Sequence, residues 1–302
     1  MAHGTASSMS RPERFTRSIP ALVGSAAPTF SFEFFPPKDD AAEVLLWEAI
    51  RNLEKVSPGF VSITYGAGGG TRDRTVRLTQ RVLEETSLTP LAHLTCVGHS
   101  VAELRNIVGH YAAVGVRNIL ALRGDPQGGL DQPWVAHPDG LDHANELVDL
   151  VTSLGDFTVG VAAFPDGHPE SLDPLEDASA LIRKERAGAQ FAVTQMVFDI
   201  DNYFRLRDEL ARRGSTLPIV PALMPITNSH QVIRMAELAG QPMPAAVVDR
   251  IAAHEGDAAG VRAEGIAIAT ESAQRLLEGG APGIHFITMN RSKATLEVFG
   301  NL

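Results

Sequence analysis

The sequence predicts an α/β fold, a single-domain (β/α)8 barrel with extra helices between strands 7 and 8, on three observations. Eight short runs rich in β-branched and aromatic residues recur along the chain, segments with helical apolar spacing lie between them, and no linker divides the 302 residues. Parallel strands need a helical crossover after each strand, which this alternation supplies. A doubly wound open sheet is the alternative. The chain is 44% hydrophobic and 21% charged, enough to bury a sizeable core in either arrangement.

The strands are expected at 30–35, 60–65, 91–96, 118–122, 157–164, 191–198, 219–224 and 284–289. Between them, Leu46, Ile50 and Leu53, or Leu147, Val151 and Leu154, form apolar stripes at helical spacing. Ser100 with Glu103 reads as a capping box, and Asp173 followed by Pro174 as an N-cap with a first-turn proline. A helix, a glycine stop and a buried strand repeat around Gly115, Gly188 and Gly279-Gly280. The interval 229–281 is long for one crossover and should hold two or three helices, broken at Gln241-Pro242-Met243-Pro244. Residues 1–20, whose first part is small and polar with scattered Arg, read as a flexible lead-in to a catalytic domain over 21–302.

Charge and cysteine usage narrow the function. Acidic residues outnumber basic ones by 36 to 26, a net charge of -10, which repels a phosphate backbone and argues against nucleic acid as a partner. Every apolar run is broken well short of the ~18 residues needed to span a bilayer, so no membrane partner is expected. The single Cys96 points to a reducing compartment, and the cytoplasm is expected. No His-Glu-x-x-His or Gly-x-Ser-x-Gly occurs, so neither a catalytic metal nor a serine hydrolase is expected.

In such barrels chemistry sits at the carboxyl ends of the strands. Polar residues there are Glu33, Thr64, Tyr65, His93, Thr95, Arg123, Asp125, His168, Gln195, Asn228, Asn290 and Arg291. Glu33 lies among phenylalanines on the face shared with Ser31 and Phe35, where desolvation should raise its pKa and suit it to donate a proton. The alternative is a buried Glu paired with Arg or Lys. Arg123-Gly124-Asp125-Pro126 offers a close backbone approach and a fixed negative charge, or simply an Asp-Pro turn. The glycine-rich stretch from Thr64 to Arg74 could hold an anion or be a tight loop, and it lacks the dinucleotide spacing. Asp177, Ala180, Arg183 and Lys184 share one helix face that could hold a pyrophosphate and a ribose, or be solvated.

Seven ordered motifs carry a family resemblance across 31–291: Ser-Phe-Glu33-Phe-Phe-Pro-Pro-Lys, Thr64-Tyr-Gly-Ala, His93-Leu-Thr-Cys, Leu122-Arg-Gly-Asp125-Pro, Ala163-Phe-Pro-x-x-His168-Pro-Glu, Thr194-Gln195 and His285-Phe-x-Thr-x-Asn-Arg291. In these the chain resembles methylenetetrahydrofolate reductase. The resemblance implies a TIM barrel that reduces 5,10-methylenetetrahydrofolate to 5-methyltetrahydrofolate, supplying methyl groups for methionine synthesis. Hydride would pass from NADH or NADPH to FAD and then to the folate. It implies Glu33 as the acid, Asp125 as the charge that stabilises an iminium cation, and Gln195 as a pterin ligand. Tyr65, Ala67, His93, Arg123, Gly124, Asp125, Ala144, His168, Asp177, Arg183 and Lys184 would line the flavin site, with Thr64 and Arg291 at the shared nicotinamide and folate site.

Three positions depart from the family pattern. His143 stands where many members have a tyrosine, Ala180 replaces a polar residue, and Ser229 stands where an aromatic often stacks. They point to weak FAD binding. Two alternatives follow: direct hydride transfer from NADH to folate, and a folate-binding protein without turnover. The choice between NADH and NADPH, and homo-oligomer formation, are left open.

Overall fold

The computed structural model describes residues 18–65, 69–126, 132–171, 173–240 and 243–302. Most of the lead-in expected over 1–20 and the flavin-site candidate Ala67 lie outside these residues, while residues 19 and 20 already belong to a helix. Eight parallel strands close into a barrel in sequence order: β1 (Thr29–Phe34), β2 (Phe60–Ile63), β3 (Pro90–Thr95), β4 (Asn118–Leu122), β5 (Thr158–Ala163), β6 (Phe191–Met196), β7 (Ile219–Leu223) and β8 (Gly283–Ile287). Pairing of β1 with β8, Thr29 opposite Gly283, closes the ring and removes the open-sheet alternative.

The described helices are α1 (Ile19–Val23), α2 (Asp40–Glu54), α3 (Gly69–Glu85), α4 (Val101–Val114), α5 (Ala144–Leu154), α6 (Pro174–Arg186), α7 (Ile200–Arg212), α8 (Ser229–Leu238), α9 (Ala245–Ala252), α10 (Ala258–Glu278) and α11 (Lys293–Gly300). Leu46, Ile50 and Leu53 bury as the stripe on α2 requires. The Ser100–Glu103 capping box forms at the start of α4, and the Asp173 side chain accepts from Leu175 N–H at the start of α6. Gly115 ends α4 in the left-handed conformation, φ 91°. Three helices, α8 to α10, fill the long interval before β8. No described helix is long and apolar enough to cross a membrane.

Several strands stop one or two residues before their expected ends, because the chain leaves the ladder there to form the barrel mouth. Single backbone bonds continue the pairing a step further, as from Thr64 N–H to Phe34 O (2.9 Å) and from Cys96 N–H to Leu122 O (3.0 Å). The apolar residues that face the helices form one large buried cluster. A second cluster fills the barrel interior with Phe60, Leu91, Leu120, Phe191 and Val220, and Ile19 and Val23 of α1 belong to it.

Candidate active site

A cavity of about 800 Å³ opens among the loops that follow the strands. Its lining brings together Glu33, Thr64, Tyr65, His93, Arg123, Gly124, Asp125, Ala144, His168, Asp177, Arg183, Lys184 and Gln195, as well as the variant positions His143 and Ala180. Three expected residues fall elsewhere, among them Asn290, whose side chain accepts from Phe35 N–H (2.8 Å) and donates to Phe35 O (2.9 Å). Arg291 is exposed and outside the lining, and Asn228 spends its side chain on the N-cap of α8, accepting from Gln231 N–H (2.9 Å).

Barrel register assembles the cavity floor. Ser31 pairs with Phe60 on one side and His285 on the other, while Glu33 pairs with Ser62 and Ile287. This stacks three small or polar interior side chains under Glu33. Ser31 Oγ is 2.7 Å from His285 Nδ1, and Ser62 Oγ is 3.1 Å from His285 Nε2. Glu33 Oε2 lies 3.4 Å from both Ser62 Oγ and His285 Nε2, and 3.7 Å from His93 Nε2.

The expected rise in the Glu33 pKa is overturned. Burial does push it up and is the largest single influence, but the His285 hydrogen bond, the nearby His93 and His285 charges and Ser62 together hold it below the usual carboxylate range. The carboxylate therefore pairs with histidines, not with the Arg or Lys of the structural alternative. Burial drives the His93 pKa down to about 4, so its imidazole is neutral at pH 7.

The rim is built by the loops after β4 and β5. Gly124 has φ +86°, and a Cβ there would meet Val97 Cγ1 at 2.6 Å, so only glycine fits where the chain turns from Arg123 to Asp125. Asp125 is exposed at the edge. Arg123 forms a two-pronged pair with Glu170 (2.7 and 2.8 Å) and lies 5.0 Å from the Trp134 ring, whose Nε1–H donates to Gly124 O (3.1 Å). Asp177 accepts from His168 N–H (3.2 Å) and Ser171 Oγ (3.2 Å), anchoring the loop that carries His168. Its neighbour Lys184 donates to Ala162 O (2.9 Å), and burial lowers that ammonium to about 8. Arg183, one residue earlier, is exposed.

A register shift between Val193 and Met196 on β6 lets consecutive residues reach the cavity. Thr194 Oγ1 accepts from Ala222 N–H (2.8 Å), while Gln195 turns back so that its Oε1 accepts from Met196 N–H (2.9 Å). Sequence reasoning missed the lining residues Phe35, Glu170, Met235 and Ala239. It also missed Ser62, which a serine inside an apolar strand run signals.

The cavity size is that of a cofactor site, and its groups fit a dinucleotide. Lys184, Arg123 and Arg183 supply cations, and His93 Nε2 and Thr95 Oγ1 are buried polar atoms without a hydrogen-bond partner among the described residues. A family model described as methylenetetrahydrofolate reductase matches residues 18–302. The chain belongs to the methylenetetrahydrofolate reductase family. The 5,10-methylenetetrahydrofolate reductase of Escherichia coli (strain K12) is 36% identical over 268 residues, 89% of this chain and 88% of that protein. Methylenetetrahydrofolate reductase (NADH) 1 of Arabidopsis thaliana is 32% identical over 295 residues, 94% of this chain and 50% of its own length. Among solved structures, a Clostridium thermocellum protein that binds two copies of 5-methyl-5,6,7,8-tetrahydrofolic acid has TM-score 0.65 at 13% identity, covering 93% of this chain and 96% of its own. That likeness concerns the barrel alone. Membership in the methylenetetrahydrofolate reductase family makes the chain an oxidoreductase that reduces methylenetetrahydrofolate.

Proposed function

We propose that the chain reduces 5,10-methylenetetrahydrofolate to 5-methyltetrahydrofolate with NADH or NADPH as donor and FAD as the intermediate carrier. The observation that carries this reading is the carboxylate of Glu33 on the cavity floor, poised between burial and two histidines. Opening the imidazolidine ring requires a proton on a folate nitrogen and leaves an iminium cation. Glu33 begins as a carboxylate. A ring system that seals the mouth removes water and adds to the burial side of the balance, so Glu33 takes up a proton as substrate binds. It then stands as the general acid. Asp125 contributes the negative charge for the cation from the rim, and the Gln195 amide hydrogen-bonds the pterin.

Bound FAD would accept hydride from the nicotinamide and deliver it to the folate methylene carbon. Lys184, Arg123 and Arg183 would hold its phosphates, and Tyr65, His93, Gly124, Ala144 and His168 its rings and sugar, with Thr64 at the shared nicotinamide and folate site. Asp177 keeps the His168 loop in place.

A weaker flavin site is the second reading, favoured by His143 and Ala180 in the lining, which offer less stacking area and no hydrogen-bonding group. Loss of one charge-assisted bond costs about 1.5–3 kcal/mol, roughly 10 to 150 fold in affinity. The test is the visible spectrum of the purified protein followed by FAD titration, repeated with His143→Tyr plus Ala180→Asn. Stoichiometric FAD surviving gel filtration supports the flavoprotein and refutes weak binding. Folate-dependent NADH oxidation by colourless protein establishes direct transfer, and folate binding without oxidation of either nicotinamide cofactor overturns the reductase.

A further inference from the structure

Five buried threonines of this barrel use their hydroxyls in hydrogen bonds. Thr29 donates to Leu22 O (2.8 Å), Thr79 to Thr75 O (2.8 Å), Thr86 to Val82 O (2.6 Å) and Thr288 to Glu33 O (2.6 Å), and Thr194 accepts from Ala222 N–H (2.8 Å). Thr95 breaks the pattern. It is 6% exposed, and its Oγ1 has no hydrogen-bond partner among the described residues. A hydroxyl buried without a partner is unfavourable, so such a group in a cavity wall points to a ligand that completes it.

Three placements say what that ligand presents. Thr95 and His93 are two residues apart on β3, so their side chains share one face, and both line the cavity. His93 Nε2 is the second buried polar atom there without a hydrogen-bond partner. A Cβ built on Gly124 would lie 3.0 Å from Thr95 Cβ, so Thr95 packs directly against the Gly124 backbone in the cavity wall. The two side chains offer one hydroxyl that can donate or accept and one imidazole nitrogen. Together they match an edge that alternates ring N–H or N with C=O. Flavin and pterin share that edge in their fused pyrimidine rings.

We propose that Thr95 is a ligand-recognition residue of this reductase site and that its hydroxyl, beside His93, hydrogen-bonds the pyrimidine edge of a bound fused-ring ligand. The inference rests on the fused-ring ligands of the proposed function, and binding alone reads it. A hydroxyl that awaits its ligand destabilises the empty protein and strengthens the complex. Thr95→Val keeps the shape and removes the hydroxyl, and Thr95→Ser keeps the hydroxyl.

The experiment titrates FAD and 5-methyltetrahydrofolate separately into the unaltered protein and both variants, and measures the ligand-free Tm of each. Thr95→Val should weaken one of the two ligands about 10 fold. It should leave the ligand-free Tm unchanged or raised, while Thr95→Ser binds within about 3 fold of the unaltered protein. Loss confined to FAD assigns the contact to the flavin, and loss confined to the folate assigns it to the pterin. Unchanged binding of both by Thr95→Val overturns the proposal. So does a lowered Tm that Thr95→Ser restores, which would make the hydroxyl structural, and so does binding of neither ligand by the unaltered protein. Failure of the reductase reading looks different: ligands bind and Thr95→Val weakens one, yet no folate-dependent NADH or NADPH oxidation occurs.

Discussion

Replacing Lys184 by Met should stabilise the ligand-free protein and weaken its hold on a phosphate-bearing cofactor. The Lys184 ammonium is carried from its usual 10.5 to about 8 by burial, against the support of the Asp177 charge. At about 1.4 kcal/mol per tenfold change in proton affinity, that is about 3 kcal/mol of folding free energy lost to keeping the amine charged. Met removes the charge but forfeits the bond from Nζ to Ala162 O, worth about 1 kcal/mol. The net expectation is a gain of about 2 kcal/mol at pH 7. The sign with pH follows from proton counting. The folded pKa lies below the unfolded one, so the cost is complete below about 8 and is relieved as pH rises from about 8 to 10.5. Urea unfolding of both proteins at pH 7 and pH 10 measures this, and the advantage of Lys184→Met should shrink at the higher pH. FAD titration should show at least ~10 fold weaker binding by the variant, and binding by the unaltered protein should weaken above about pH 8. A variant less stable than the unaltered protein at pH 7, with equal FAD affinity, would refute the reasoning.

Further outcomes follow from the same site. Asp125→Asn should slow the folate half-reaction about 10 to 1000 fold, about 1.4–4 kcal/mol, with little change in Tm because the residue is exposed. Stopped-flow rates and melting curves separate this from a structural role. His93, at about 4 in the folded protein against 6.5 in water, binds fewer protons folded than unfolded, so stability should fall as pH drops from about 6.5 toward 4. Urea midpoints across that interval should show a shallower fall for His93→Gln.

Much of the fold was legible because each strand and helix carried its own signal. Ser100 with Glu103 and Asp173 with Pro174 act within one turn, and the structure uses them as caps. The cavity was legible where a strand ends in a motif, as at Glu33, Arg123 to Asp125 and His168. What sequence reasoning missed depends on contacts between strands and helices far apart in the chain. Ser62 and His285 reach Glu33 only through the β1–β2 and β1–β8 registers, and they reverse the direction of its pKa. Met235 and Ala239 arrive with α8 and its C-cap, an approach to the cavity that no local pattern encodes. Asn228 looked like a strand-end ligand because an N-cap and a site residue have the same polarity.

The most direct test of the account is Glu33→Gln, which keeps the shape of the side chain and removes the transferable proton. Two activities are measured on the same preparation: reduction of 5,10-methylenetetrahydrofolate, and NADH oxidation with an artificial electron acceptor in the presence of FAD. The account predicts folate reduction lower by about 10² to 10⁴ fold, with artificial-acceptor activity and Tm close to those of the unaltered protein. Folate reduction near the unaltered rate would contradict Glu33 as the acid and, with it, the chemistry assigned to the cavity floor.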